Sequence, residues 1–268
     1  MRDLALDLSL ALRLADAADA MSMAKYRSAE LVVETKPDLT PVTDADKGIE
    51  FMIRDLLAHE RPTDLVIGEE FGGKDEALAS SNNQYYWVID PIDGTKNFIR
   101  GVPTWGTLIA LVTPEHDVVV GVVSAPALYR RWFAHKAGGA FLSENGEPAR
   151  RIQVSAVHSL GDASISYSDL AGWGDRRQNF VDLQERVWRT RGLGDFWSHM
   201  LVAEGAVDIA VEPSLALWDM AANAIIVTEA GGVFGDLEGN HGAHGASGLS
   251  TNGKLHQAFL SAVNERNG

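Results

Sequence analysis

Asp90 and Asp93 stand three residues apart, around a proline, in the stretch Trp87-Val88-Ile89-Asp90-Pro91-Ile92-Asp93-Gly94-Thr95-Lys96-Asn97-Phe98. Two carboxylates at that spacing, with the backbone carbonyl of Ile92 between them, can face one cation. Hard oxygen donors of this kind suit Mg2+ or Mn2+ better than zinc. Gly94 and Thr95 follow where a helix would begin, and backbone N–H groups at such a start make an anion site. Metal and oxyanion chemistry thus meet at one point. Judged alone, Asp93-Gly94 reads more readily as an Asp-capped turn, because Asp-Gly is common turn chemistry.

The elements that must position these groups follow from pattern. Residues 85–89 are aromatic and β-branched, which predicts a buried strand. Pro91, with no N–H for a ladder, is expected to end that strand at Asp90 and leave both acids on a turn. Upstream, Leu4, Leu8, Ala11, Leu12, Ala15, Ala18 and Met21 recur at helical spacing over residues 3–25, predicting a packing helix, with a dimer surface as the alternative. A short strand is expected over 31–34, a helix ending near 59, a strand over 65–67 and a mobile Gly/Ser/Asn-rich loop over 71–83. Runs at 105–112, 118–124, 131–135 and 140–142, split by turn clusters, predict an antiparallel meander covered by the N-terminal helices, an α+β half. Ser143-Glu144-Asn145-Gly146-Glu147-Pro148 suggests a boundary, dividing the chain into 1–145 and 146–268. Beyond it, strands expected over 163–166, 187–191, 208–211 and 248–251 alternate with helices over 175–185, 195–203, 218–230 and 252–263, an α/β rhythm. His241 and His244 invite a zinc reading, but they lie among Gly, Ala and Asn without a second ligand pair, the pattern of a polar loop.

With 268 residues, 46% of them apolar, the chain can bury one large core or two medium ones. No apolar run reaches the ~20 residues of a membrane span. Asp3, Asp7, Arg13 and Asp16 interrupt the N-terminal leucines, unlike a signal peptide, so a cytoplasmic protein is expected. The absence of cysteine excludes disulfides, thiolate nucleophiles and Cys-bound metals. A formal net charge of −14 makes nucleic acid and anionic membrane poor partners. A small phosphorylated metabolite can approach only where the sign is reversed locally, and divalent cations held on the acids would reverse it.

The whole string from Trp87 to Phe98 resembles the signature W-x-x-D-P-[IL]-D-G-T-x-N-[FY] of the inositol monophosphatase family. Two further segments stand in the family's order: Gly68-Glu69-Glu70 before it, and Trp218-Asp219-Met220-Ala221-Ala222 with Glu229-Ala230-Gly231-Gly232 after it. Without the resemblance, Glu69 and Glu70 read as solvated surface acids and Asp219 as an acid answering the helix dipole. With it, a layered αβαβα sandwich is implied, and Glu69, Asp90, Asp93, Asp219 and the Ile92 carbonyl become ligands of two or three Mg2+ ions, Glu69 bridging. Such a clamp suits in-line displacement, with ions ~3.5–4 Å apart. Gly94 and Thr95 N–H groups would bind the phosphate, and an acid paired with Thr95 would orient the attacking water. By its place in Val42-Thr43-x-x-Asp46-x-x-x-Glu50 that acid is Asp46, with Asp44 as rival, although either can equally be a helix cap. Lithium inhibition and a homodimer are also family expectations.

Substrate choice turns on Gly194-Asp195-Phe196-Trp197-Ser198-His199, which looks like the family's substrate-side helix. Inositol phosphatases carry a small uncharged residue where this chain has Asp195, and acid there favours a cationic ligand. Glu212, at a family substrate-contact position, would add a second carboxylate. Histidinol phosphate offers an ammonium and an imidazole to match. The plain alternative for Asp195 is a helix cap or a surface salt bridge. Lys36-Pro37-Asp38-Leu39-Thr40-Pro41-Val42-Thr43, Gly68-Glu69-Glu70-Phe71-Gly72-Gly73 and Gly194-Asp195-Phe196 together resemble the histidinol-phosphate phosphatases of the family. Trp105 is a further candidate for the pocket wall. The expectation is therefore a Mg2+-dependent phosphomonoesterase acting on L-histidinol phosphate by metal-activated water attack, with Asp46, Thr95 and Glu69 catalytic. An inositol-1-monophosphatase is the alternative. A non-catalytic metal-binding regulator on the same scaffold is the alternative of another class, and the pair Asp46 and Thr95 argues against it, since binding alone needs no water-orienting pair. A nucleotide or sugar-bisphosphate phosphatase would lead one to expect a basic second pocket, of which the sequence gives no sign.

Overall fold

The computed structural model describes residues 2–73 and 84–265. It begins with helix α1, Leu4–Lys25, whose first N–H groups are met by the Asp3 side chain. The buried face of α1 runs through Leu10, Ala11, Leu14, Ala15 and Ala18. The expected stripe is thus rotated: Leu4, Leu8 and Leu12 only flank the core, and Met21 is exposed. A helix apolar on most sides has no single face in its period, and the choice is made by tertiary packing. Asp7, buried on the same side, is held by Arg2 and Arg61.

Strands β1 (Val33–Thr35) and β2 (Pro41–Thr43) form an antiparallel hairpin with Lys36 beside its turn. Helix α2, Asp44–Glu60, follows directly, its start fixed by a capping box between Thr43 and Asp46. Strands β3 (Leu65–Gly68) and β4 (Tyr86–Asp93) pair in parallel. The loop expected over 71–83 lies, from residue 74 on, outside the described residues. After the short helix α3, Thr95–Arg100, strands β5 (Gly106–Val112), β6 (Val118–Ala125), β7 (Arg130–His135), β8 (Gly139–Glu144) and β9 (Arg150–Arg151) complete a seven-strand sheet as an antiparallel meander in chain order.

The central strands read as unbroken apolar runs because both faces are covered. Trp87, Ile89, Ile109, Leu111, Val120 and Val122 point to α1 and α2, whereas Val88, Leu108, Ala110 and Val123 point the other way. What covers that second face comes from the distal half of the chain. Strand β10 (Ser164–Tyr167) leads to helix α4 (Arg177–Gln184), strand β11 (Arg189–Gly192), helix α5 (Asp195–Ala203), strand β12 (Ile209–Glu212), helix α6 (Leu217–Glu229), strands β13 (Val233–Gly235) and β14 (Gly248–Thr251) and helix α7 (His256–Asn264). Their strands make a five-strand mixed sheet in the order β11-β10-β12-β14-β13.

Residues of α5 and α6 pack against the large sheet and also against Ala210 and Phe234 of the small one, while α4 and α7 cover the small sheet's far face through Phe180, Leu183, Phe259 and Val263. The result is the αβαβα sandwich. Helix α6 is buried almost all round, as a helix between two sheets must be. Strands β2, β9 and β13 are additions to the expected set, and α7 starts four residues late because the Asn252 side chain first holds the Lys254 and Leu255 N–H groups in a turn. No helix among the described residues is long and apolar enough to cross a membrane.

Candidate active site

Strand β4 does not stop at Asp90. Asp90 pairs with Leu108 and Asp93 with Gly106, and the register shifts between them, so Pro91 and Ile92 form a bulge inside the strand. At a bulge the missing proline N–H breaks no ladder bond. The Pro91 carbonyl instead accepts the Thr107 hydroxyl at 2.8 Å, and the Ile92 N–H donates to Asp90 Oδ1 at 3.0 Å. The two acids therefore hang from a strand and not from a turn after it.

The first turn of α6 supplies a third acid, Asp219, whose Oδ2 accepts the Ala216 N–H at 2.7 Å. Ligand atoms of Asp90, Asp93 and Asp219 all lie within 4.8 Å of one another. Asp90 is 1% and Asp93 9% exposed. Burial first, then the charge of Glu69, pushes the Asp90 carboxyl well above the usual carboxylate range. Asp93 is raised by burial and by Asp195, and Asp219 is pushed up to about 7, again chiefly by burial. Three carboxyls this close, two buried and one partly so, cannot all ionise unless a cation joins them. An all-oxygen donor set fits a hard divalent metal.

Glu69 lies outside this tight trio, although its charge reaches Asp90, Asp219 and Asp46. Lys36 Nζ holds Glu69 Oε1 and Glu70 Oε1, each at 2.7 Å. The turn that carries both glutamates is built on Glu50 of α2, fully buried, which accepts the Glu70 N–H at 2.7 Å and the Phe71 N–H at 3.2 Å while bonding Arg54 Nε at 2.8 Å. Glycine at 68 admits this carboxylate: a Cβ there would lie 1.9 Å from Glu50 Oε1 and would push it off these hydrogen bonds. The sequence reading gave Glu50 no role. Its i,i+4 spacing to both Asp46 and Arg54 was the available signal.

Asp46 is both a cap and a site residue. Its Oδ2 accepts the Thr43 N–H at 2.8 Å, and its Oδ1 lies 3.4 Å from the Thr95 hydroxyl, which is also 3.0 Å from the Ile92 carbonyl. Burial raises the Asp46 carboxyl. The rival Asp44 faces away, paired to Lys25 at 2.6 Å. Gly94 caps α3 with φ 80°, in the left-handed region, where a Cβ would meet Thr104 O at 3.0 Å and Asp195 Oδ2 at 3.3 Å.

The start of α5 meets the same point. The Phe196 N–H donates to Asp93 Oδ2 at 2.6 Å, and Asp195 Oδ2 accepts the Asn97 amide at 3.1 Å. Burial pushes Asp195 up to about 6, opposed by Lys96. Glu212, 5% exposed at the end of β12, is pushed up to about 8 by burial and by the charge of Asp195. Trp105 is a correction: its ring is 0% exposed and stacks in the core on Phe98, centroids 4.8 Å apart, and on Tyr26. An aromatic beside a Gly-rich motif suggested a pocket wall, but T-shaped ring packing has claimed it. His241 stacks on His256, and the metal-capable group found among the described residues contains no histidine.

The sequence profile of the Inositol monophosphatase family matches residues 3–267. A histidinol-phosphatase of Streptomyces coelicolor is 53% identical over 265 residues, 97% of each chain, and one of Mycobacterium tuberculosis is 51% identical over 261 residues, 96% of this chain and 98% of its own. Among solved structures, an IMPase of Thermotoga maritima superposes with a TM-score of 0.83 at 30% identity over 96% of both chains. Together with the convergence of Asp90, Asp93 and Asp219, these matches show that the chain belongs to the inositol monophosphatase family.

Proposed function

We propose that this protein is a metal-dependent phosphomonoesterase that hydrolyses L-histidinol phosphate to L-histidinol and phosphate, a step of histidine biosynthesis. One observation carries the substrate: a partly buried carboxyl, Asp195, and a buried one, Glu212, stand beside the acidic trio, where the organic part of a bound ester would lie. The names borne by the S. coelicolor and M. tuberculosis relatives agree with it.

When bound, two or three Mg2+ ions, or Mn2+ in their place, on Asp90, Asp93, Asp219, Glu69 and the Ile92 carbonyl supply the positive charge that neutralises ester oxygens and acidifies water. The chain's own groups do the rest. N–H groups of Gly94 and Thr95, at the turn into α3, hold phosphate oxygens. Asp46 and the Thr95 hydroxyl orient the attacking water, and Asp46 takes its proton. Asp195 and Glu212 receive the ammonium and imidazole, where an inositol ester, bearing only hydroxyls, gains hydrogen bonds but no charge pairing.

The test is phosphate release from histidinol phosphate and inositol-1-phosphate, each in Mg2+ and in chelator. Turnover of the first that needs Mg2+ and exceeds the second is expected; equal or better turnover of the inositol ester overturns the substrate. Inhibition by lithium, a homodimeric state, a cytoplasmic location and the division into parts 1–145 and 146–268 belong to the same proposal, supported by the family resemblance and the change of rhythm along the chain.

A further inference from the structure

Behind Glu212 the core holds a second unmatched group. His199 of α5 is 1% exposed, with Nδ1 2.7 Å from Ser250 Oγ on β14. Its Nε2 has no hydrogen-bond partner, and neither does Glu212 Oε1. These two atoms are 3.8 Å apart. That separation is too long for a hydrogen bond, yet two orphaned polar atoms facing each other inside a core are an expensive arrangement unless one state of the protein joins them. A shift of under ~1 Å in the glutamate would bring the pair into hydrogen-bond range.

The surroundings keep the ring in place, while the Ser168 hydroxyl and the Asp195 N–H donate to the Glu212 carboxylate and leave its Oε1 unpartnered. Phe234 packs on the imidazole at 5.6 Å between centroids, and Ser250 fixes its Nδ1 edge. Gly248, the cross-strand partner of Glu212, lies against the same ring, where even a Cβ would be in ordinary contact, 3.5 Å from His199 Cε1. Burial drives the imidazole down to about 4, so the ring is neutral at physiological pH and carries one N–H. A Ser250 hydroxyl that donates to Nδ1 puts that hydrogen on Nε2, where it faces Glu212.

We propose that His199 is a positioning residue for substrate selection: its Nε2–H closes on Glu212 Oε1 when the cationic end of a phosphate ester engages the other carboxylate oxygen. This rests on the cationic-ester reading above and deepens it. Glu212 meets the ligand; His199 touches no substrate and acts through Glu212 alone. A neutral ester leaves the pair apart.

The test uses the full chain with Mg2+, assayed on histidinol phosphate and inositol-1-phosphate as wild type, His199→Leu, His199→Gln, Glu212→Gln and the Glu212→Gln/His199→Leu double variant. His199→Leu is expected to raise KM for histidinol phosphate about tenfold, the scale of one hydrogen bond to a charged group, and to lower kcat much less. Its KM for the inositol ester should move by less than about twofold, and His199→Gln, which keeps an N–H donor, should recover part of the loss. Adding His199→Leu to Glu212→Gln should change KM no further, the mark of action through one residue. Equal KM rises on both esters, or additive losses in the double variant, overturn the proposal while leaving the substrate reading standing. A wild type that prefers the inositol ester overturns both. If His199→Leu melts too early to assay, the wild-type protein decides: histidinol should shift the His199 Nε2–H resonance downfield, and an unmoved resonance refutes the contact.

Discussion

Asp195 holds φ 53°, in the left-handed region, immediately after Gly194 at φ 72°. Asn tolerates that region better than most side chains, so Asp195→Asn removes the charge without adding backbone strain. Steady-state assays should then show KM for histidinol phosphate raised about tenfold, the worth of a charge-assisted contact, with the inositol ester nearly unaffected. Glu212 gives a pH dependence with a definite sign. Its pKa rises from 4.5 unfolded to about 8 folded, so the native state binds the extra proton. The stability this contributes is complete below pH 4.5 and is lost as pH rises through about 8. Urea midpoints of chelator-treated protein should fall between pH 5 and 9, and Glu212→Gln should flatten the slope. Asp90→Asn opposes stability to activity: relief of like-charge crowding should stabilise metal-free protein by about 1–3 kcal/mol in thermal melts, while Mg2+-supported turnover drops by roughly a hundredfold or more. Asp90 and Asp93 were readable because their type and spacing are set by oxygen-donor chemistry on β4, whereas Asp219 was legible only through the family resemblance, since alone it reads as an acid answering the helix dipole. Glu50 and His199 were not, because each acts through a partner far away in the chain, and Trp105 misled because an aromatic side chain serves core and pocket equally well.

Between β3 and the described end of the following turn, Glu50 does for Glu70 and Phe71 what a strand partner would do, whereas the Glu69 N–H still reaches the Ile89 carbonyl of β4 at 3.3 Å. Glu50→Ala leaves the Glu70 and Phe71 N–H groups without their acceptor and should cost about 1–3 kcal/mol, with a weaker apparent affinity for Mg2+ in activity titrations. Gly68→Ala should be severe alone, since its Cβ has no space beside Glu50 Oε1, and milder when combined with Glu50→Ala. That non-additivity is the measurement. Element by element, the sequence was legible where punctuation was strong: α5 runs over 195–203 as expected, with Gly194 before it and Gly205 just beyond its end. It was not legible at Pro91, whose usual meaning is a strand end; the bulge that tolerates it depends on Thr107, a residue of the neighbouring strand. Strands β2 and β13, three residues each, and β9, with two, are too short for a period to show.

At the scale of the molecule, one helix pair belongs to both sheets. Helix α6 reaches β6 so closely that a Cβ on Gly121 would lie 2.4 Å from Ile225 Cγ2 and 2.9 Å from the Ala222 carbonyl. Gly121→Ala should therefore destabilise by about 1–3 kcal/mol or more through overpacking, and calorimetry should show one cooperative transition moving as a whole, because the shared core links both halves. The family motifs announced the layers, but the pattern along the chain did not: it gave 218–230 as one helix of an α/β rhythm, without its place between two sheets. The placement of that helix also bears on synthesis. A ribosome delivers β4 with Asp90 and Asp93 long before Asp219, so the emerging meander carries a crowded, uncompensated pair of carboxyls and an uncovered apolar face. Nascent chains halted short of α6 should stay with chaperones and hold no ion, and the ester-cleaving pocket is born only when the late helix slides into its slot.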